Sequence, residues 1–359
     1  MHGRTNASTM GFSIDRNGTT FAPLKLIVYE KRFQTMKKVR KILLWGLQTA
    51  FCTAPLLPSC SADDNEVYRE VDIVIPTDED ADCCSLEEEE LTIRYLQDLE
   101  EVKELSGVQQ GIYTLRVYAH TEQLQVGYNE LFFTVEKTAT GRHVKDVAFS
   151  NLVPLMNMKG GTGMQQHSTP TGDFEQVTSW IPVYRTWVSF LMASDDANRW
   201  QFSFDYRIKE EHGTVSHPVL TVASLPAGNI HVKSFKVGED TYYLSLVDAN
   251  SLRVGVNTLR AYLSKQPAGQ EKTQPYFIEQ EQAFTIGLNP TMPDMGNHTS
   301  PDNEPLRLTE KGYYEGKLNL TMTGRWHIHL TVYDAEGKTV AGDENKHDEN
   351  GHFYWSVQI

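Results

Sequence analysis

Two stretches decide the fold, because they are one pattern written twice: YTLRVYAHTEQLQVGYNEL at 113–131 and YYLSLVDANSLRVGVNTL at 242–259. Leu124, Val126, Gly127, Asn129 and Leu131 align with Leu252, Val254, Gly255, Asn257 and Leu259, all at an offset of 128 residues. In each copy apolar residues alternate along a strand, and Gly and Asn supply the turn chemistry. Three further landmarks recur in the same order. Pro154 and Met156 correspond to Pro290 and Met292, and His167 precedes Pro170 as His298 precedes Pro301. Arg199-Trp200 corresponds to Arg325-Trp326. A period near 130 residues is that of whole domains, too long for a solenoid repeat.

Working outward, RTWVSFLMA (185–193), RWQFSFDYRI (199–208) and GKLNLTMTGRWHIHLTVYD (316–334) alternate in the same way, between clusters of Gly, Asn, Asp and Pro. Short strands at regular spacing predict a sandwich. The expected fold is therefore all-β: two tandem immunoglobulin-like β-sandwiches at 111–236 and 237–359. In both, the repeated Trp is large enough to anchor the core between sheets. Before them, residues 60–110 read as an acidic tether carrying one short helix. The helix is expected where Leu86, Leu91, Tyr95, Leu99, Val102 and Leu105 make an apolar stripe.

The start of the chain has a different character. From Met36 it runs MKKVRKILLWGLQTAFCTAPLLPSC, a basic stretch, an apolar stretch and Cys60. That is the layout of a secretory signal peptide at 36–59, too short for a spanning helix. A Cys directly after the apolar run resembles the lipobox of bacterial lipoproteins, which implies lipidation at Cys60. The SADDNE that follows resembles the surface-export signal of Bacteroidetes lipoproteins. Expected localisation is the outer membrane, lipid-anchored and facing the cell surface, with the periplasmic face as the alternative. Residues 1–35 look like nothing exported, so Met36 is the expected start and Met1 a miscalled one.

Residues 1–59 hold nine Lys/Arg and two Asp/Glu, which leaves 24 basic and 45 acidic side chains from position 60 onward, a balance of −21. So acidic a chain has little with which to neutralise phosphates, and nucleic acid is excluded as a partner. Besides Cys52 and Cys60, the chain holds only the adjacent Cys83 and Cys84. A disulfide framework is thereby excluded. The pair itself could close a strained ring, bind a soft metal or stay as free thiols.

PTMPDMGNHTSP (290–301), followed by GYYEGKLNLTMTGRWHIHLTV (312–332), resembles the YtkA-like domain family, related to FixH-type proteins. The likeness covers about 120 C-terminal residues; LMNMKGGTGMQQHSTP (155–170) departs from the compact loop in the first copy. The resemblance implies a small β-sandwich module of exported or membrane-anchored bacterial proteins. It also implies proximity to copper-handling and heavy-metal-handling proteins, and no enzymatic activity of the module itself.

Thioether and imidazole donors together suit Cu(I). The candidate metal ligands are Met292, Met295 and His298 in the second copy, and Met156, Met158, Met164 and His167 in the first. Met is equally a flexible filler of cores. His327 and His329 share the strand face opposite Trp326 and are expected to face solvent. His347 and His352 lie among carboxylates in a charged hairpin loop. No Gly-x-Ser-x-Gly elbow, HExxH helix or phosphate-cradling loop occurs, and thiols in an acidic setting are poor nucleophiles, so no enzyme is expected. Two functions remain in view. One is a soft-metal module, copper its possible cofactor, with a metal-transport partner. The other is a surface scaffold or adhesin-like module that binds protein or glycan and uses its Met residues as core.

Overall fold

In the computed structural model of the chain the described residues are 83–160, 163–281, 283–342 and 353–359. The leader, Cys60, the first part of the tether, His347 and His352 lie outside them. All described residues belong to one unit, Val74–Ile359. Among the described residues the fold is all-β apart from the α-helix Cys83–Leu96 and two single turns of 3₁₀ helix. Every strand ladder is antiparallel.

A six-stranded and a four-stranded sheet make up the first half, and an eleven-stranded sheet the second. The recurring sequence recurs as pairing. In the first half Tyr113–Ala119 pairs with Gly127–Lys137, which pairs with Tyr184–Phe190. In the second Asp240–Leu246 pairs with Gly255–Gln266, which pairs with Tyr314–Leu320. The register is the same: Gly127 lies opposite Phe190 and Asn129 opposite Val188, while Gly255 lies opposite Leu320 and Asn257 opposite Leu318. Likewise Pro154 lies opposite Phe202 and Pro290 opposite Ile328.

The repeated Gly-x-Asn has a definite task. Gly127 and Gly255 sit at φ 93° and 105°, in the region that favours glycine. Two residues on, the Asn side chain folds back over the turn. Asn257 Nδ2 donates to the carbonyls of Arg253 (2.7 Å) and Gly255 (2.9 Å), and its Oδ1 accepts from Arg253 N–H at 3.0 Å. Asn129 makes the same three bonds to Gln125 and Gly127. One side chain thus satisfies backbone groups that the ladder leaves open.

Each half has its own core. Leu115, Phe133, Phe149 and Phe204, from both sheets of the first half, meet around Trp200; Leu244, Leu263, Ile286 and Leu330 meet around Trp326. Both Trp side chains are fully buried, and their Nε1–H groups donate to backbone carbonyls, of Met192 at 2.9 Å and of Met322 at 3.0 Å. A buried indole needs such an acceptor. The halves differ at one edge. In the second, Glu304–Leu308 pairs on one side with Tyr314–Leu320 and on the other with Thr285–Met292, joining what would be two sheets into one. In the first, Glu175–Gln176 pairs with Tyr184–Phe190 alone.

The helix docks by polar contacts more than by an apolar stripe. Leu86, Leu91 and Tyr95 are exposed, whereas Thr92 and Leu96 are buried, and Leu99 to Leu105 has left the helix. Thr92 Oγ1 accepts from Trp180 Nε1 at 3.0 Å, Glu89 holds both the ring and the N–H of His143, and Glu88 pairs with Lys145. The expected stripe fails because these polar partners on the first half decide which helix face turns inward. No helix among the described residues is long and apolar enough to cross a membrane.

Candidate functional site

MPDMGNH (292–298) is a hairpin loop. Thr285–Met292 ends in a 3₁₀ turn, Pro293–Met295, and the chain reverses through Gly296 and Asn297, both left-handed at φ 63° and 61°. Gly and Asn are the residues that tolerate this conformation. The returning strand sets His298 directly opposite Met292. The three proposed donors are nevertheless divided. Met292 is buried in the second core with its methyl against Gly324, where a Cβ would lie 2.6 Å away. Met295 is 57% exposed, and His298 is exposed as well.

The first half repeats the arrangement. Met156 lies opposite both Trp200 and His167, and is fully buried. Met158 packs half-buried on the same core, and Met164 lies opposite Lys159 on the returning strand. His167 Nδ1–H donates to the Ser168 carbonyl at 2.7 Å, and the ring meets Trp200 edge to face at 5.6 Å. So in both halves the Met of a Met–His cross-strand pair belongs to the core. Among the described residues no group of three His, Cys, Asp or Glu is arranged to hold a metal ion.

His327 and His329 do lie opposite Trp326 and Ile328, but they do not face open solvent. The last strand, Tyr354–Gln358, pairs beside them and lays Tyr354 over both rings, at 4.3 Å from His327 and 5.4 Å from His329. The Lys233 ammonium lies 5.8 Å from the centre of the Tyr354 ring, and burial lowers the pKa of Lys233. His329 is buried and shares a hydrogen bond with Thr291 Oγ1 at 3.1 Å.

Sequence reasoning missed a cleft between the two halves, of about 410 Å³. One wall carries His120, Thr121, Gln125, Val126 and Tyr128–Glu130, and the other carries His231, Leu246 and Asp248–Ser251. His120 and Asp248 are equivalent positions at the offset of 128. Glu130 accepts from Tyr128 Oη at 3.4 Å, contacts His120 Nε2 at 3.0 Å and lies 3.5 Å from Arg185. The bond to Glu130 raises the pKa of His120. Desolvation, and then the charge of Glu130, raises that of Asp248. Burial pushes His231 down to about 4 and the Tyr128 phenol well above its ordinary value. Below the cleft the halves are joined by Trp187 stacked on Tyr262 at 4.4 Å, Tyr128 stacked on Tyr262 at 5.8 Å, and a buried bond from Ser245 Oγ to Ser189 Oγ at 2.7 Å. The only sequence signal for this site was that the repeated loop carries His in one copy and Asp in the other.

No protein-family model matches the chain, and no curated protein matches it either. Among solved structures it is similar to the crystal structure of the conserved domain protein from Bacillus anthracis, with 11% sequence identity and a TM-score of 0.25, over 74% of this chain and 90% of that one.

Proposed function

We propose that the chain is an exported, lipid-anchored binding protein of the bacterial outer membrane, made of two tandem immunoglobulin-like β-sandwich modules of the YtkA-like type. Its surface loops bind a protein or glycan, Met156 and Met292 are core packing, and it transforms nothing. The observation that carries this reading is the matched burial of Met156 and Met292, each inside its own half opposite a His. A thioether committed to a core is a packing group. The lipobox-like Leu-Pro-Ser-Cys60 supports the anchor, and the −21 balance beyond it speaks against nucleic acid.

The test has two arms. Metabolic labelling with an alkyne-tagged fatty acid in a diderm bacterial host should mark the chain, and Cys60→Ser should abolish the mark. Protease added to intact cells should then degrade it if it faces outward.

A second reading, soft-metal binding, draws on one observation: both halves pair a Met with a His across a strand, and in the second half Met295 and His298 reach solvent. Cu(I) buffered by a competing chelator, titrated into residues 61–359 and into Met295→Ala/His298→Ala, decides between the two. Equal weak uptake supports packing; tight uptake lost in the variant makes the loop a copper site.

A further inference from the structure

Resting on the binding-protein reading, we propose that the cleft between the two halves is a saccharide site, taking a neutral mono- or disaccharide unit. Its size lies within the range of small-molecule sites, about 300–1,000 Å³. Its chemistry is two-sided, as a pyranose is. Leu225, Val126 and Ala249 give an apolar surface for a C–H face, while Asp248, Asn250 and Gln125 surround it with acceptors and donors for hydroxyls.

Two of these groups are left over from the fold. Asp248 occupies the N-cap position of a 3₁₀ turn yet makes no capping bond, and its left-handed backbone at φ 50° turns it out of the ladder. Asp at a cap ordinarily spends its carboxylate on the backbone; here the carboxylate stays available to accept from two hydroxyls. His231 is only 7% exposed, lines the cleft, and its ring has no hydrogen-bond partner among the described residues. A polar ring that the fold leaves without a partner at the cleft is free to bond a ligand hydroxyl. By contrast Glu130 is already held by His120, Tyr128 and Arg185.

Other ligand classes fit less well. Anions meet two carboxylates. A metal ion would find no group of three His, Cys, Asp or Glu placed to hold it among the described residues. A wholly apolar ligand would strand Asp248, Asn250 and His231 in a dry site.

The full-length mature protein should be passed over an array of neutral hexose and N-acetylhexosamine glycans printed beside sialylated and sulfated ones, and hits measured by calorimetry. Two variants accompany it: Asn250→Ala, exposed and without packing, and Asp248→Gly/Asn250→Ala, in which Gly accepts the positive φ without strain. The expected result is a neutral glycan bound at least tenfold more weakly by the double variant, with an unchanged melting temperature. A silent array, or retention by acidic glycans alone, overturns the proposal. Undiminished binding by the double variant overturns the cleft as the site while leaving the glycan-binding reading standing.

Discussion

Replacing Asn257 tests whether the recurring Gly-x-Asn holds the fold as described. The side chain is 8% exposed and makes three bonds to Arg253 and Gly255, at 2.7, 2.9 and 3.0 Å, and a longer one to the Leu318 carbonyl at 3.4 Å. At about 1 kcal/mol net for each bond, with an added cost for backbone groups left buried and unpaired, Asn257→Ala should destabilise by about 2–4 kcal/mol. Asn129, half-buried with the same three turn bonds, should cost somewhat less. Asn257→Asp sharpens the argument because it keeps the shape. It still accepts from Arg253 N–H, but sets a carboxylate oxygen against two carbonyls where a donor stood. The folded state then favours the protonated acid, so its pKa rises above the unfolded value of about 3.9. Relative to wild type the variant should be least impaired below that pH, and should lose stability as pH rises through it towards the folded pKa. The assay is urea unfolding followed by tryptophan fluorescence and far-ultraviolet circular dichroism, at pH 3.5 and 7, with unchanged m-values. A cost below about 0.5 kcal/mol for Asn257→Ala, the size of an ordinary surface change, would refute the reasoning. An Asp variant no worse than Ala at pH 7 would do so equally.

Met292→Ala and Met156→Ala should each cost about 2–5 kcal/mol in the same assay, as buried Met truncations do, while the exposed Met295→Ala should stay within about 0.5 kcal/mol. Gly324→Ala should destabilise and displace Met292, since Gly324 lies at φ 135° and its Cβ would stand 2.6 Å from the Met292 methyl; pairing it with Met292→Ala should relieve part of the cost, read as a double-mutant cycle. His231 is held at about 4 in the fold against about 6.5 unfolded, so its neutral burial leaves stability whole above pH 6.5 and lowers it as pH falls from there to 4, by up to about 3 kcal/mol. His231→Gln should flatten that limb of the stability profile, and an unchanged profile would show that His231 does not govern it.

How much could be read in the sequence follows from the distance over which each feature is encoded. The strands were legible because Leu124 to Leu131 and Leu252 to Leu259 carry side-chain period and turn chemistry within eight residues. Trp200 and Trp326 were legible as core residues by size alone. The face of the helix was not, because it is chosen by His143, Lys145 and Trp180, far along the chain, and not by its own Leu residues. Nor was the fate of the Met residues. MPDMGNH reads alike for a ligand set and for a hairpin whose first Met turns inward, and only the bulk missing at Gly324 shows which way Met292 goes. The cover over His327 and His329 comes from Tyr354, beyond a charged loop. The cleft was hidden for the same reason: its walls are 128 residues apart, and each alone is only a turn.

One asymmetry reaches further than the static description. Because Glu304–Leu308 is hydrogen-bonded on both sides, the second half has no seam along which its layers can be peeled apart without breaking a ladder. The first half has such a seam, held by side chains and loops. Under a pull along the chain, or during slow opening in heavy water, the N-terminal half gives way first and lengthens the molecule while the C-terminal half keeps its shape. A load applied between the two ends would therefore be relieved in the N-terminal half, which acts as a fuse for the fold of the C-terminal half.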